Sequence, residues 1–325
     1  MKTITHDRDF IYDRPVAVTW KYRVKRCLSP IMDLVYRTAV RFNRPAKSGE
    51  TKLYGVSACA IFRNEAPYLR EWIEMNRIAG IEHFYLYNNF SDDNYLEVLR
   101  PYIDEGVVTL TEWPVKMGQL PSFEHFWSNF RRQTQWVTFI DLDEFYCPYY
   151  AGTLSEWLAG FKNQPSVVVY WKMFGSSGHL EHDPERPVTE QYTVSWDRMD
   201  SVGKVIANTD WEFTSVYQHQ MNARCRFLGR SIAVPSSDEF GHYLRWPEVV
   251  PGTARRREFT IQLNHYWSKA YRTYLQVKIA RGVAIEGYDY RPEVFFLHER
   301  NNRAADYKIF RYMVQLKLAL ENGGK

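Results

Sequence analysis

Between Leu53 and Asp141 the chain alternates apolar, strand-like runs with helical segments, and few architectures accept that rhythm. LYGVSACAIF (53–62) is an apolar run of strand length. NEAPYLREWIEMNRIAG (64–80) has helical spacing at Leu69, Trp72, Ile73, Asn76 and Ile78, with Gly80 as its stop. IEHFYLYNN (81–89) alternates and ends in polar turn residues, and DNYLEVLRPYI (93–103) reads as a short helix. GVVTLTEW (106–113) is a third strand, SFEHFWSNFRRQTQ (122–135) a helix and WVTFID (136–141) a fourth strand. Strands and helices in this order imply βαβ units and an α/β fold with a mainly parallel sheet. Ligands of such sheets sit beyond the carboxyl ends of the strands. Three of those ends are polar, RNE (63–65), NNFSDD (88–93) and DLDE (141–144), and they are predicted to gather at one rim.

The flanking sequence is different. Residues 1–50 form a basic amphipathic segment. Between residues 14 and 47 it carries Lys21, Arg23, Lys25, Arg26, Arg37, Arg41 and Arg44 against one acid, Asp33. Pro30 divides it into two predicted helices. A segment of this kind either packs on the domain with a solvated basic face or lies on an anionic membrane surface. After the fourth strand the pattern is less regular. SVVVYWKMFGSSGH (166–179) is a strand entering a Gly/Ser turn, and TIQLNHYW (260–267) is another strand. SKAYRTYLQVKIARG (268–282) is helical, and DYKIFRYMVQLKLALENGG (306–324) closes the chain as a helix.

Composition narrows the function. The net charge of +4 over 325 residues does not support nucleic-acid binding. Four widely spaced cysteines, Cys27, Cys59, Cys147 and Cys225, indicate neither a zinc site nor a disulfide framework, and reduced thiols suit a cytosol. The start, MKTITHDRDF, has no apolar core of a secretory signal, and no run of about 18 apolar residues predicts a spanning helix. Aromatic residues make up 16% of the chain, which fits either a packed core or a site that stacks bases and sugar rings.

FIDLDEF (139–145) sends an apolar strand straight into Asp141, Asp143 and Glu144. Carboxylates at a buried strand end repel one another and lose hydration, so a bound cation is the simplest compensation. In an extended stretch Asp141 and Asp143 would point one way and Leu142 back to the core. Mn²⁺ or Mg²⁺ suits such oxygen ligands and leaves positions for water and phosphates. Lys204 and Lys269 are candidate partners for a metal-held diphosphate, and His265 in LNHYW is a candidate third metal ligand.

ACAIFRNEAPYLREWIEMNRIAGIEHFYLYNNFSDDN, FIDLDEF, WKMFGSSGH and NHYWSKAYRTYLQVKIARG, in that order, resemble glycosyltransferase family 92 and related family-2-like proteins over roughly Tyr54 to Gly282. The resemblance implies a GT-A fold over residues 51–285, with a C-terminal helical extension at 286–325. It implies transfer of a hexose, galactose-like, from a nucleotide sugar to a glycan or glycolipid hydroxyl, with inversion. Asp141 and Asp143 would be the metal motif, and His265 would complete the site. Arg63, Asn64 and Glu65 close the first strand, where such enzymes hold the nucleoside. Asn88, Asn89 and Asp93 stand near the position of the base, and an Asn amide can pair with uracil, which keeps UDP as the expected carrier.

The acceptor hydroxyl needs a base. Glu181 and Asp183, beside the Gly/Ser turn, are the candidates of choice, with Asp238, Glu239 and His179 as further ones. Trp171 and Phe174 are candidates for stacking on the acceptor sugar. A metal-dependent phospho- or nucleotidyltransferase would share the acids, but no G-x-x-x-x-G-K-[ST] loop is present. A non-catalytic carbohydrate-binding protein would leave the Asp141/Asp143 pair unexplained. The expected location is the cytoplasm, with residues 14–47 on the inner face of an anionic membrane.

Overall fold

The computed structural model describes residues 2–6, 9–45, 51–246, 258–279 and 290–322. The chain opens with strands β1 (Thr3–His6) and β2 (Phe10–Ala17) and helix α1 (Trp20–Phe42). The predicted alternation follows as β3 (Tyr54–Phe62), α2 (Ala66–Ile78), β4 (His83–Asn88), α3 (Tyr95–Asp104), β5 (Val108–Glu112), α4 (Gln119–Asn129) and β6 (Thr134–Phe139). Next come β7 (Glu144–Pro148), β8 (Ser166–Met173), β9 (Val194–Ser195), β10 (Met199–Asp200) and β11 (Gly203–Asn208). A hairpin of β12 (Ala223–Phe227) and β13 (Arg230–Val234), then β14 (Ser237–Asp238) and β15 (Ile261–His265), complete the strands used below.

The main sheet runs β5-β4-β3-β6-β11-β8-β15-β7, with β14 beside β8. β5, β4, β3 and β6 are mutually parallel, so their carboxyl ends share one edge. β11 is antiparallel to both β6 and β8. This mixed α/β sheet is the GT-A type of architecture expected above. Period-two alternation explains how it is covered on both faces. Ala58, Ala60, Phe84 and Leu86 face α2 and α3 through Leu69, Trp72, Ile73 and Leu99. Cys59, Tyr85, Tyr87, Val137 and Phe139 face the other way, against Phe123 and Phe126 of α4 and Tyr36 and Val40 of α1.

Pro30 does not divide the N-terminal segment: α1 is one 23-residue helix that runs through it. An interior proline costs a helix about 3 kcal/mol. Anchors on both sides hold α1 together, Tyr22 before the proline and Asp33, Tyr36, Ala39 and Val40 after it, all buried. The Tyr243 amide and His242 Nδ1 each lie 3.0 Å from an Asp33 carboxylate oxygen. β2 pairs with β1 and β10, so these strands and α1 are part of the packed domain. At the other end, helix Met313–Asn322 lies on α2, where Arg70 donates to the Leu320 carbonyl. The helix predicted from residue 268 begins at Tyr271 and is π-wound over Tyr274–Ile279. The Gly282 stop and the predicted boundary at 285 lie outside the described residues.

Candidate functional site

The acidic stretch is a turn, not an extended strand end. β6 stops at Phe139, and the Glu144 amide donates to the Asp141 carbonyl at 3.1 Å. Leu142 is buried as expected. Glu144 departs from the rim and starts β7 as a fully buried residue. Helix α2 braces the turn: Trp72 Nε1 donates to the Asp141 carbonyl and Asn76 Nδ2 to that of Glu144. β15 runs antiparallel to β7 with His265 opposite Glu144, and this register brings His265 to the acids.

Two lysines meet the aspartates. Lys204 Nζ, on β11, is 2.8 Å from Asp141 Oδ2 and 3.6 Å from Glu144 Oε2. Lys278 Nζ is 2.9 Å from Asp143 Oδ2. The sequence points to a bound cation as the compensation for the acids; in the fold these two ammonium groups already balance the two aspartates. Partial burial pushes the Asp141 carboxyl up, but Lys204, by charge and hydrogen bond, together with His265 leaves it below the usual carboxylate range. Asp143 is opposed by the same burial and lowered well below that range by Lys278, then His265. Glu144 goes the other way: burial pushes it well above the usual range despite Lys204. Lys204 loses hydration too, yet Asp141 and Glu144 raise its ammonium above the ordinary value.

Among the described residues no group of three or more His, Cys, Asp or Glu is placed to hold a metal ion. A smaller set fits one. His265 Nε2 and Asp143 Oδ1 are 3.4 Å apart, close to the spacing of two neighbouring ligands about 2.1 Å from one ion. Mg²⁺-type sites commonly use one or two protein ligands and complete the shell with water and substrate phosphates. Burial lowers His265 below the usual imidazole value, which favours the neutral, ligating form. Asp141 is turned elsewhere, accepting from Gln119 Nε2 at 3.1 Å as well as from Lys204.

One wall of the site is aromatic. Trp171 packs against His265 and His219 with ring centroids at 4.7 and 5.2 Å, and its Nε1 donates to Glu144 Oε1 at 2.6 Å. Phe174 is not available for stacking on a sugar: it is fully buried and stacks on Tyr266.

The three polar strand ends do share a rim, and two are stitched together. Asn64, at a left-handed φ of 53°, accepts from the Asp92 amide and donates its own amide to Ser91. Asp93 accepts from the Ala66 amide at the start of α2. Asn88 donates to Glu112, and Asn89 Nδ2 donates to the carbonyls of Trp113 and Val115. These residues build the rim through contacts within the chain. Arg63 is exposed and Glu65 buried beside them. Lys269 lies over the Tyr68 ring at 4.2 Å, near the buried Glu71.

Of the candidate bases, Glu181 is exposed and ion-paired with Arg272. Asp183 accepts from the Glu185 amide in its own turn. His179 sits against the Gln191 carbonyl at 3.2 Å. Asp238 is buried and spent on its own loop, accepting from the amides of Phe240 and His242. Glu239 accepts from the Thr260 amide. Sequence reasoning missed Lys278, Gln119 and His219. Lys278 had a faint signal, a cation inside the helical block that follows His265.

The chain matches the family model described as Glycosyltransferase family 92 over residues 52–301. It is 32% identical over 154 residues to a glycosyltransferase family 92 protein of Oryza sativa subsp. japonica, covering 45% of this chain and 26% of that one. It is 30% identical over 129 residues to the beta-1,4-galactosyltransferase galt-1 of Caenorhabditis elegans, covering 35% and 30%. The chain thus spans between a quarter and a third of these relatives' lengths. Among solved structures, S. aureus TarS 1-349 is similar with a TM-score of 0.32 and 15% identity, over 48% of this chain and 47% of that one. With the family match running from before β3 to beyond the Lys278 helix, the chain belongs to glycosyltransferase family 92.

Proposed function

We propose that this protein transfers a hexose, galactose-like, from a UDP-linked donor to a hydroxyl of a glycan or glycolipid, with inversion. The observation that carries the reading is the meeting of Asp141, Asp143, Lys204, Lys278 and His265 at the carboxyl edge of the parallel strands. That edge is where ligands of such sheets bind. The galactosyltransferase name of the C. elegans relative supports the hexose.

Each residue has a task. When glycosyl transfer breaks the bond to the anomeric carbon, negative charge develops on the leaving diphosphate. Lys204 and Lys278 stand against Asp141 and Asp143 at this edge, and their ammonium charges would oppose the charge that develops on the diphosphate. Mn²⁺ or Mg²⁺ would add Lewis-acid stabilisation of the same charge. His265 and Asp143 would hold the ion, with Asp141 released from Lys204 as the further ligand. Trp171, packed against His265, would shield that side of the site from water. Glu181 or Asp183 would take the proton from the acceptor hydroxyl.

A panel of nucleotide sugars tests the reading. A donor at about a hundred times its Kd stabilises the folded state by about 2.7 kcal/mol. UDP-hexoses should raise the melting temperature and release UDP when acceptor is added. A panel in which no UDP-sugar shifts the melting temperature, with or without Mn²⁺, contradicts it.

A further inference from the structure

Helix α1 buries one face and leaves the opposite face apolar. Tyr22, Asp33, Tyr36, Ala39 and Val40 point into the domain. Trp20, Val24, Leu28, Ile31, Leu34 and Phe42 recur at helical spacing on the outside and are exposed, Trp20 at 70% and Phe42 at 78%. Soluble surfaces scatter such residues singly; a stripe the length of a helix marks an interaction site. Arg23, Arg37 and Arg41 flank the stripe on one side and Lys21 on the other, all exposed. The helix's one acid, Asp33, is buried against His242 and Tyr243, so no carboxylate on α1 offsets the cations outside.

A second feature adjoins the first. The β12–β13 hairpin is tied to the end of α1 by Asn43, whose side chain donates to the Arg226 carbonyl and accepts from the Arg226 amide, both at 2.8 Å. At its tip Leu228, at φ +48°, is 87% exposed, with Arg226 and Arg230 exposed on either side. The arrangement on the helix is repeated there: an apolar side chain held outward between arginines.

We propose that this face docks on an anionic lipid bilayer, with α1 lying in the interface plane. An apolar stripe enters the acyl boundary while flanking cations meet lipid phosphates. No helix among the described residues is long and apolar enough to cross a membrane, so α1 lies on the bilayer rather than through it. A second copy of the chain fits poorly, because two such faces would set arginines against arginines. The inference stands independently of the proposed reaction.

Vesicle co-sedimentation of the full chain tests it, with phosphatidylcholine alone and with an equal part of phosphatidylglycerol. The protein should partition onto the anionic vesicles and leave them as salt rises. Ile31→Glu with Leu34→Glu should lower partitioning at least about tenfold, because charge enters the buried stripe. Arg23→Gln with Arg37→Gln should lower it by about tenfold or more on anionic vesicles, each basic residue near such a surface being worth about a factor of five. All four side chains are exposed, so melting temperatures should be unchanged; Val24→Glu supplies a second stripe variant if one pair misfolds. Wild-type protein that stays in the supernatant, or stripe variants that bind undiminished, would overturn the proposal. So would a wild-type dimer in analytical ultracentrifugation that Ile31→Glu dissociates, which would assign the face to a second copy.

Discussion

Lys204 Nζ stands 2.8 Å from Asp141 Oδ2 on a side chain that is 1% exposed, joining β11 to the acidic turn across 63 residues of sequence. A buried cation in this position is structural as well as chemical. Lys204→Met would leave the buried Glu144 and the partly exposed Asp141 without its ammonium, a loss of about 2–3 kcal/mol, below the roughly 3–5 kcal/mol of a pair buried on both sides. Urea unfolding should show a loss of that size. A loss within experimental error would mean that the acids do not need Lys204.

Lys278 belongs to a pair that is buried on both sides. It reaches Asp143 from a helical turn, with Trp267 beneath its ammonium at 4.5 Å. Lys278→Met should cost about 3 kcal/mol or more of stability, and in the protein that remains folded it should lower kcat for UDP release by about 10²–10³-fold, the usual cost of losing one group that stabilises developing charge. An unchanged kcat would remove Lys278 from the reaction.

The base can be assigned by two isosteric variants. Glu181→Gln or Asp183→Asn should lower transfer to acceptor by about 10²–10⁴-fold while donor binding holds, whichever carboxylate is the base. Full transfer by both would place the base elsewhere.

Glu239 predicts a pH dependence of stability. Burial pushes its carboxyl from the ordinary value of 4.5 up to about 7, against the hydrogen bonds from Thr260. A raised folded pKa means that the folded state holds the proton more tightly than the unfolded chain. Its contribution is therefore complete below the unfolded pKa and is lost as pH rises toward 7, by about 3 kcal/mol at most. Glu239→Gln should flatten this fall, and denaturation at pH 4.5 and 8 would show it. Identical pH slopes for variant and wild type would contradict it.

What the sequence disclosed, and what it hid, follows from the range of the interactions. β3 to β6 and their helices were legible because period two and period 3.6 are local. The acidic turn was legible as chemistry, but Glu144 looked like a third rim acid because nothing local says that β7 begins there. Lys278 showed only as one cation in the helical block after His265, since its partner Asp143 is 135 residues away. Asn88 and Asn89 looked like base contacts because they are polar and stand at a strand end; asparagines in turns commonly serve the backbone, as these do. Pro30 misled because its local cost is real and tertiary packing outweighs it. The apolar outer stripe of α1 was present in the sequence, but which face is outside depends on where Tyr36 and Val40 dock.

The most direct measurement concerns Asp143. The rate of UDP release from the best UDP-hexose should be compared for wild type and Asp143→Ala, each with saturating Mn²⁺ and after chelation. The expected result is a fall of about a hundredfold or more on substitution and on chelation alike, with no further loss when they are combined. Asp143→Ala turning over at the wild-type rate, or chelated wild type undiminished, would contradict a donor diphosphate held at the acidic turn by a divalent ion.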